Sequence, residues 1–98
     1  MSSACCHKDK GWKPVELSIG ENESTIPTEG LYQIRVINQG DVTLKVGTMR
    51  VEPGNCIPMG IDWLPCATAM DCEWVESETG QRKALVTAVK IVEYCCEK

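Results

Sequence analysis

Soft metal-binding side chains are the first feature of this chain that could do chemistry. Cys5, Cys6 and His7 stand together near one end, Cys95 and Cys96 near the other, and Cys66 and Cys72 lie between. Thiolates and an imidazole in that number suffice for a tetrahedral zinc site, which makes Cys5, Cys6, His7, Cys95 and Cys96 a candidate ligand set. The spacing argues against it. Structural zinc knuckles present cysteines about two to four residues apart, whereas Cys66 and Cys72 have five residues between them and the other pairs are adjacent. Neighbouring residues of a strand point to opposite faces, so Cys95 and Cys96 would share one ion only across a kink. The main expectation is therefore no metal and no cofactor, with the five-residue set as the alternative. A redox role is not indicated either, because no C-x-x-C motif occurs.

Seven cysteines cannot all pair within one chain, so at least one thiol stays free or pairs outside it. The plainest reading makes Cys56, Cys72 and one of Cys95 or Cys96 small apolar core fillers. Cys5 and Cys6 then lie in an N-terminal arm, and a disulfide from that arm to the last strand would staple the two ends.

Catalysis finds little to work with. His7 is the only histidine, so a Ser-His-Asp or Cys-His arrangement would rest on a residue of the arm. Glu21 with Glu23, and Glu76 with Glu78, read as solvated loop charges rather than an acid and base pair. Gly40, Gly47, Gly54 and Gly60 sit at separate turn positions and make no phosphate-binding loop. No enzyme is expected. Large side chains are the better candidates for contact, because Trp and Tyr favour interface anchors. Trp12, Trp63 and Leu64 are the expected protein-interface residues, while Trp74, between Glu73 and Val75, is expected in the core.

The elements that must position these residues are legible as alternation. Residues 1–13 are polar and without period, and are expected as a flexible arm; residues 14–98 form a single domain. Val15, Leu17 and Ile19 alternate with polar residues as in a half-buried strand. Leu31–Ile37 reads as a second strand, with Tyr32, Ile34 and Val36 on one face and Leu31 and Ile37 on the other. The turn signal Asn38-Gln39-Gly40-Asp41 leads into Val42, Leu44 and Val46, which predicts a hairpin. Gly47 interrupts the pattern as a bulge or bend would, Met49 and Val51 resume it, and Pro53-Gly54 predicts a turn into a short strand at Cys56 and Ile57 that Pro58 stops. Together these predict a meander.

Residues 60–71 show no clear period and are expected as an irregular excursion anchored by Trp63 and Leu64. In the closing stretch, Leu85, Val89 and Val92 fit helical spacing. The β-branched Val86, Thr87, Val89, Ile91 and Val92 favour a long strand with Leu85, Thr87, Val89 and Ile91 on one side. The spacing of strand signals predicts an all-β fold, a small antiparallel β-sandwich or barrel.

Composition narrows the partners. The chain has 98 residues, enough for one core, with 43% apolar and 24% charged side chains and a formal charge of −4. That balance is globular, and the acidic excess opposes binding to phosphate backbones, so no nucleic acid is expected. No run approaches the roughly 18 apolar residues of a spanning helix, and the N-terminal stretch lacks the apolar core of a signal peptide. Synthesis in the cytoplasm and no membrane partner follow as expectations.

The stretch LYQIRVINQGDVTLKVGTMRVEPGNCIPMG, with the closing LVTAVKIVEY, resembles the small all-β accessory proteins of tailed-phage virions. In those, a strand ends in an Asn-x-Gly turn, a second strand follows, and a Pro-Gly turn leads into the next. The resemblance implies a capsid decoration or auxiliary protein, or a head or tail component, incorporated in a virion in several copies and bound to other protein subunits. It carries over no catalytic residues, and the richness in cysteine departs from it. Two other classes stay open: a β-sandwich adaptor or carbohydrate-binding module using Trp12, Trp63 and Tyr32 as a stacking platform, and a cysteine-rich zinc-binding domain.

Overall fold

A computed structural model describes the backbone of residues 6–97 and the side chains of residues 10–93. Eight strands account for all its regular structure: β1 (Cys6–Ile19), β2 (Thr25–Ile26), β3 (Tyr32–Asn38), β4 (Leu44–Val46), β5 (Met49–Val51), β6 (Cys56–Met59), β7 (Met70–Trp74) and β8 (Ala84–Glu97). They form two antiparallel four-stranded sheets, ordered β1-β8-β3-β6 and β2-β7-β4-β5. The expected β-sandwich is what the sequence builds, open rather than closed into a barrel, and the closing stretch is strand. The β-branched run of β8 explains that choice, since stiff side chains pack readily on a pleated surface.

The inward face of each strand can be read from its burial. Ala84, Val86 and Ala88 of β8 are buried, opposite Ile19, Leu17 and Val15 of β1 in register. Ile34 and Val36 of β3 join them from the first sheet; Ile26, Leu44, Val46, Val51, Cys72 and Trp74 close the core from the second. Small residues thus line the inner face of β8, and its bulkier Leu85, Val89 and Ile91 lie on the outer face. Trp74 meets the core expectation, and its Nε1 donates to Gly20 O at 2.8 Å, which satisfies the one polar atom it buries.

Several expectations change. The stretch expected as an arm is strand from Cys6 onward: residues 6–13 pair with residues 90–97 of β8 in unbroken register. Its partner comes from the far end of the chain, so no local pattern announces it. β3 pairs with β8 only as far as Val89, and beyond that point β1 and β8 continue as a two-stranded ribbon. The molecule is correspondingly long, 64 × 21 × 19 Å.

The hairpin expected between β3 and β4 does not form, because the two strands lie in different sheets. Residues 39–41 instead stay alongside the lead-in to β8, with Gln39 N donating to Lys83 O at 2.9 Å and Asp41 N to Gln81 O at 2.7 Å. The true hairpin joins β4 and β5 across Gly47-Thr48, with Val46 opposite Met49. Gly47 has φ +59°, the left-handed value that a two-residue hairpin turn demands at its first central position. The Pro53-Gly54 turn is present, with Asn55 N donating to Glu52 O at 3.0 Å, but it passes the chain back to the first sheet. No meander results. Pro58 does not stop β6; it sits within it, tolerated because β6 is an edge strand that need not donate on its outer side.

Of residues 60–71, expected as irregular, 60–69 are so while Met70 and Asp71 open β7, and Trp63 and Leu64 do not anchor the excursion. The excursion is held by Cys66, whose N donates to Leu31 O and whose O accepts from Gly30 N, at 2.9 and 2.8 Å. The buried Thr28 hydroxyl adds a contact to Thr68 O at 3.1 Å.

Candidate functional site

The outer face of the first sheet and the neighbouring 60–69 excursion carry the most exposed large apolar side chains. Where the ribbon leaves the sandwich, Trp12 of β1 stands opposite Ile91 of β8 and Pro14 opposite Val89. Tyr32 of β3 lies in register with Val89 on the other side of β8. Tyr32 was expected to share a face with Ile34 and Val36. A bulge between Tyr32 and Arg35 inserts one residue, and Gln33 takes φ +54°. One extra residue reverses the alternation that follows, so Tyr32 turns outward toward Trp12 while Ile34 stays in the core.

Trp12, Tyr32, Gln33, Asp62, Val89 and Ile91 line an open hollow of about 380 Å³. A second hollow of about 350 Å³ adjoins it, lined by Arg35, Pro58, Gly60, Ile61, Asp62 and Trp63. Asp62 is common to both and is held by a two-pronged ion pair, Arg35 Nη1 to Oδ1 at 3.1 Å and Nη2 to Oδ2 at 3.2 Å. Arg35 Nη1 also donates to Ile34 O at 3.1 Å, which braces the guanidinium against β3. The hydrogen bonds from Arg35 hold the Asp62 carboxyl below the usual carboxylate range, and Asp62 in turn raises Arg35. The partition between the two hollows is thus a fixed, charged pair between apolar walls.

Trp12 is 68% exposed, Trp63 78% and Leu64 52%. The fold brings Trp12 and Trp63 to adjoining hollows, with Leu64 beside Trp63 in sequence but lining neither. Sequence reasoning missed Gln33, Arg35, Asp62, Val89 and Ile91 as neighbours of Trp12 and Trp63. Nothing local signals the bulge at Gln33. The outward position of Ile91 follows from alternation once the inner face of β8 is known.

The cysteines separate. Cys72 is buried, as expected, and burial, with Glu23 and Asp71 nearby, pushes its thiol pKa up, which keeps it protonated and unreactive. Cys56, expected in the core, is exposed on the edge strand β6. In the alternative zinc set, Cys5 lies outside the described residues. The backbone brings the rest alongside, with Cys6 opposite Glu97, His7 opposite Cys96 and Lys8 opposite Cys95. Their side chains are outside the described residues, among which no cluster of three metal-binding groups occurs.

Glu78 is not the free loop charge expected. It accepts from Thr43 N at 2.7 Å and from Thr43 Oγ1 at 3.2 Å, and the backbone and hydroxyl bonds together lower its pKa. It fastens the β7–β8 connection to the start of β4, a structural duty.

Comparison of the chain with family models, with curated proteins and with solved structures gave no match.

Proposed function

We propose that this chain is a non-enzymatic structural subunit that binds other protein subunits in a multi-copy assembly, of the kind formed by the tailed-phage virion accessory proteins it resembles. The observation carrying this reading is the pairing of Trp12 and Trp63, each more than two-thirds exposed, on either side of the braced Arg35–Asp62 pair. Large exposed aromatic side chains, Trp12 on the sheet and Trp63 on the excursion beside it, rimmed by polar groups, are what interface hot spots are made of. The chain would work by rigid docking, with Trp12 and Ile91 filling one recess of a partner and Trp63 the next. A virion site is the proposed location.

The test is incorporation. A double variant Trp12→Ala/Trp63→Ala, folded by far-UV circular dichroism, is compared with the parent chain for its occupancy in purified particles. Occupancy falling about tenfold or more is expected. Equal occupancy, or a parent chain absent from every particle, overturns the proposal.

One observation favours a second reading. Trp12 and Tyr32 line the same hollow as the polar Gln33 and Asp62, a combination of stacking faces and planar hydrogen-bonding groups that suits a sugar ring. Retention on a glycan affinity gel, lost in Trp12→Ala, would favour a carbohydrate-binding module instead.

A further inference from the structure

The two ends of the molecule carry opposite charge. Residues 14–89 hold eleven acidic against five basic side chains, whereas residues 6–13 and 90–97 hold four lysines against three acids. The antiparallel pairing of β1 with β8 gathers those lysines into the ribbon. The acidic excess collects at the opposite end of β1. There Glu21, Glu23, Glu73 and Glu76 line a hollow of about 470 Å³ with Arg82 as its single cation. Trp74 closes this end onto Gly20 through the 2.8 Å bond from its Nε1.

Two features of the ribbon call for an anionic partner. Lys13 and Lys90 are directly opposite in register and both exposed, and like charges so placed destabilise a strand pair. Neither forms an ion pair with another described residue. A two-stranded ribbon is in addition marginal by itself in water, and among the described residues no third strand pairs with it beyond Val89. From Lys13 to Ile19 the chain climbs six residues of extended strand, about 20 Å, before it turns into the acidic end, so one copy cannot bring its lysines to its own acidic end.

We infer that the ribbon of one copy docks on the acidic end of a second copy, Lys13 and Lys90 against Glu21, Glu23, Glu73 and Glu76, in a head-to-tail contact. Such a contact joins two different surfaces, leaves a free ribbon at one end and a free acidic end at the other, and so propagates into a ring or a filament. This inference rests on the multi-copy reading above and adds how the copies meet.

Analytical ultracentrifugation of the full chain under reducing conditions tests it. Concentration-dependent association is expected at about 50 mM salt and is weakened about tenfold or more at about 500 mM, because exposed charge contacts are screened. Lys13→Glu/Lys90→Glu and Glu21→Lys/Glu73→Lys should each sediment as monomers. Mixed in equal amounts they should associate again, since the reversed ribbon of the first fits the reversed end of the second. A parent chain that stays monomeric, association insensitive to salt, or a mixture that stays monomeric each overturns the inference. The Trp12→Ala/Trp63→Ala variant keeps self-association if the contact is as described. Unchanged particle occupancy there, with association intact, would strike the docking face and leave the head-to-tail contact standing; a monomeric parent chain still found in particles would do the reverse.

Discussion

Asn38 Nδ2 donates to Val51 O at 2.8 Å, tying the end of β3 in one sheet to the end of β5 in the other. The same amide donates to Val42 O at 2.8 Å, and its Oδ1 accepts from Gly40 N at 2.9 Å. Asn38 is 1% exposed, so each of these bonds replaces one to water that the fold has removed. This side chain makes Asn38–Asp41 a corner between sheets instead of a hairpin turn.

Asn38→Ala leaves the buried carbonyls of Val42 and Val51 short of a donor, and should lower unfolding stability by about 2–4 kcal/mol in urea denaturation. Asn38→Asp sets a carboxylate against those two carbonyls. It should be worse than Ala near neutral pH and recover in acid, where the protonated form can donate again. A change below about 0.5 kcal/mol for either would mean the corner is held by other bonds.

Gln33 is the one non-glycine residue with positive φ among those described. Glycine there relieves the left-handed penalty at some cost in unfolded-chain entropy, so Gln33→Gly should be neutral or up to about 1 kcal/mol more stable. Gln33→Val should destabilise by more than about 1 kcal/mol, because a β-branched side chain resists that conformation. Thermal melts of the three proteins would rank them; Val at or above Gln refutes the bulge.

Glu78 supplies a pH dependence. Its folded pKa is depressed below the ordinary value of 4.5 by the bonds from Thr43. A depressed carboxyl contributes stability that is fully present above the unfolded pKa and disappears as pH falls through the folded one. Urea midpoints measured from about pH 5 to about pH 3 should therefore fall more steeply for the parent chain than for Glu78→Gln. Parallel curves would show that the Thr43 bonds do not favour the charged form.

Trp12 and Trp74 should respond oppositely to truncation. Trp74→Ala empties the core beside Leu44 and abandons the bond to Gly20 O, a loss of about 3–5 kcal/mol. Trp12→Ala, at an exposed position, should change stability by less than about 0.5 kcal/mol. Chemical denaturation followed by far-UV circular dichroism separates them, and a large loss at Trp12 would show that the ribbon needs it for its own pairing.

Much of the sheet content was legible because the pleat writes itself into the chain one residue at a time. Val15, Leu17 and Ile19 or Val42, Leu44 and Val46 declare strand and an inner face without reference to any partner. Pro53-Gly54 declares a turn for the same reason. Trp74 and Cys72 could be placed in the core as apolar side chains. For Cys56, equally apolar, that reasoning failed, since it falls on an edge strand whose outer side is not covered.

The candidate site was legible only in its most conspicuous members. Trp12 and Trp63 stand out by type, but their adjacency depends on the bulge at Gln33 and on Arg35 reaching Asp62 across 27 residues of chain. Neither leaves a local mark.

Alternation, turn chemistry and charge count were settled by the amino-acid sequence itself, because each depends on a residue and its nearest neighbours. Which strands pair, where the sheets trade the chain, and the union of residues 6–13 with 90–97 into a projecting ribbon were decided by the tertiary structure. A strand offers the same backbone donors and acceptors to any partner. Only the competition among all strands to bury their apolar faces together selects one register and leaves Trp12 outside it.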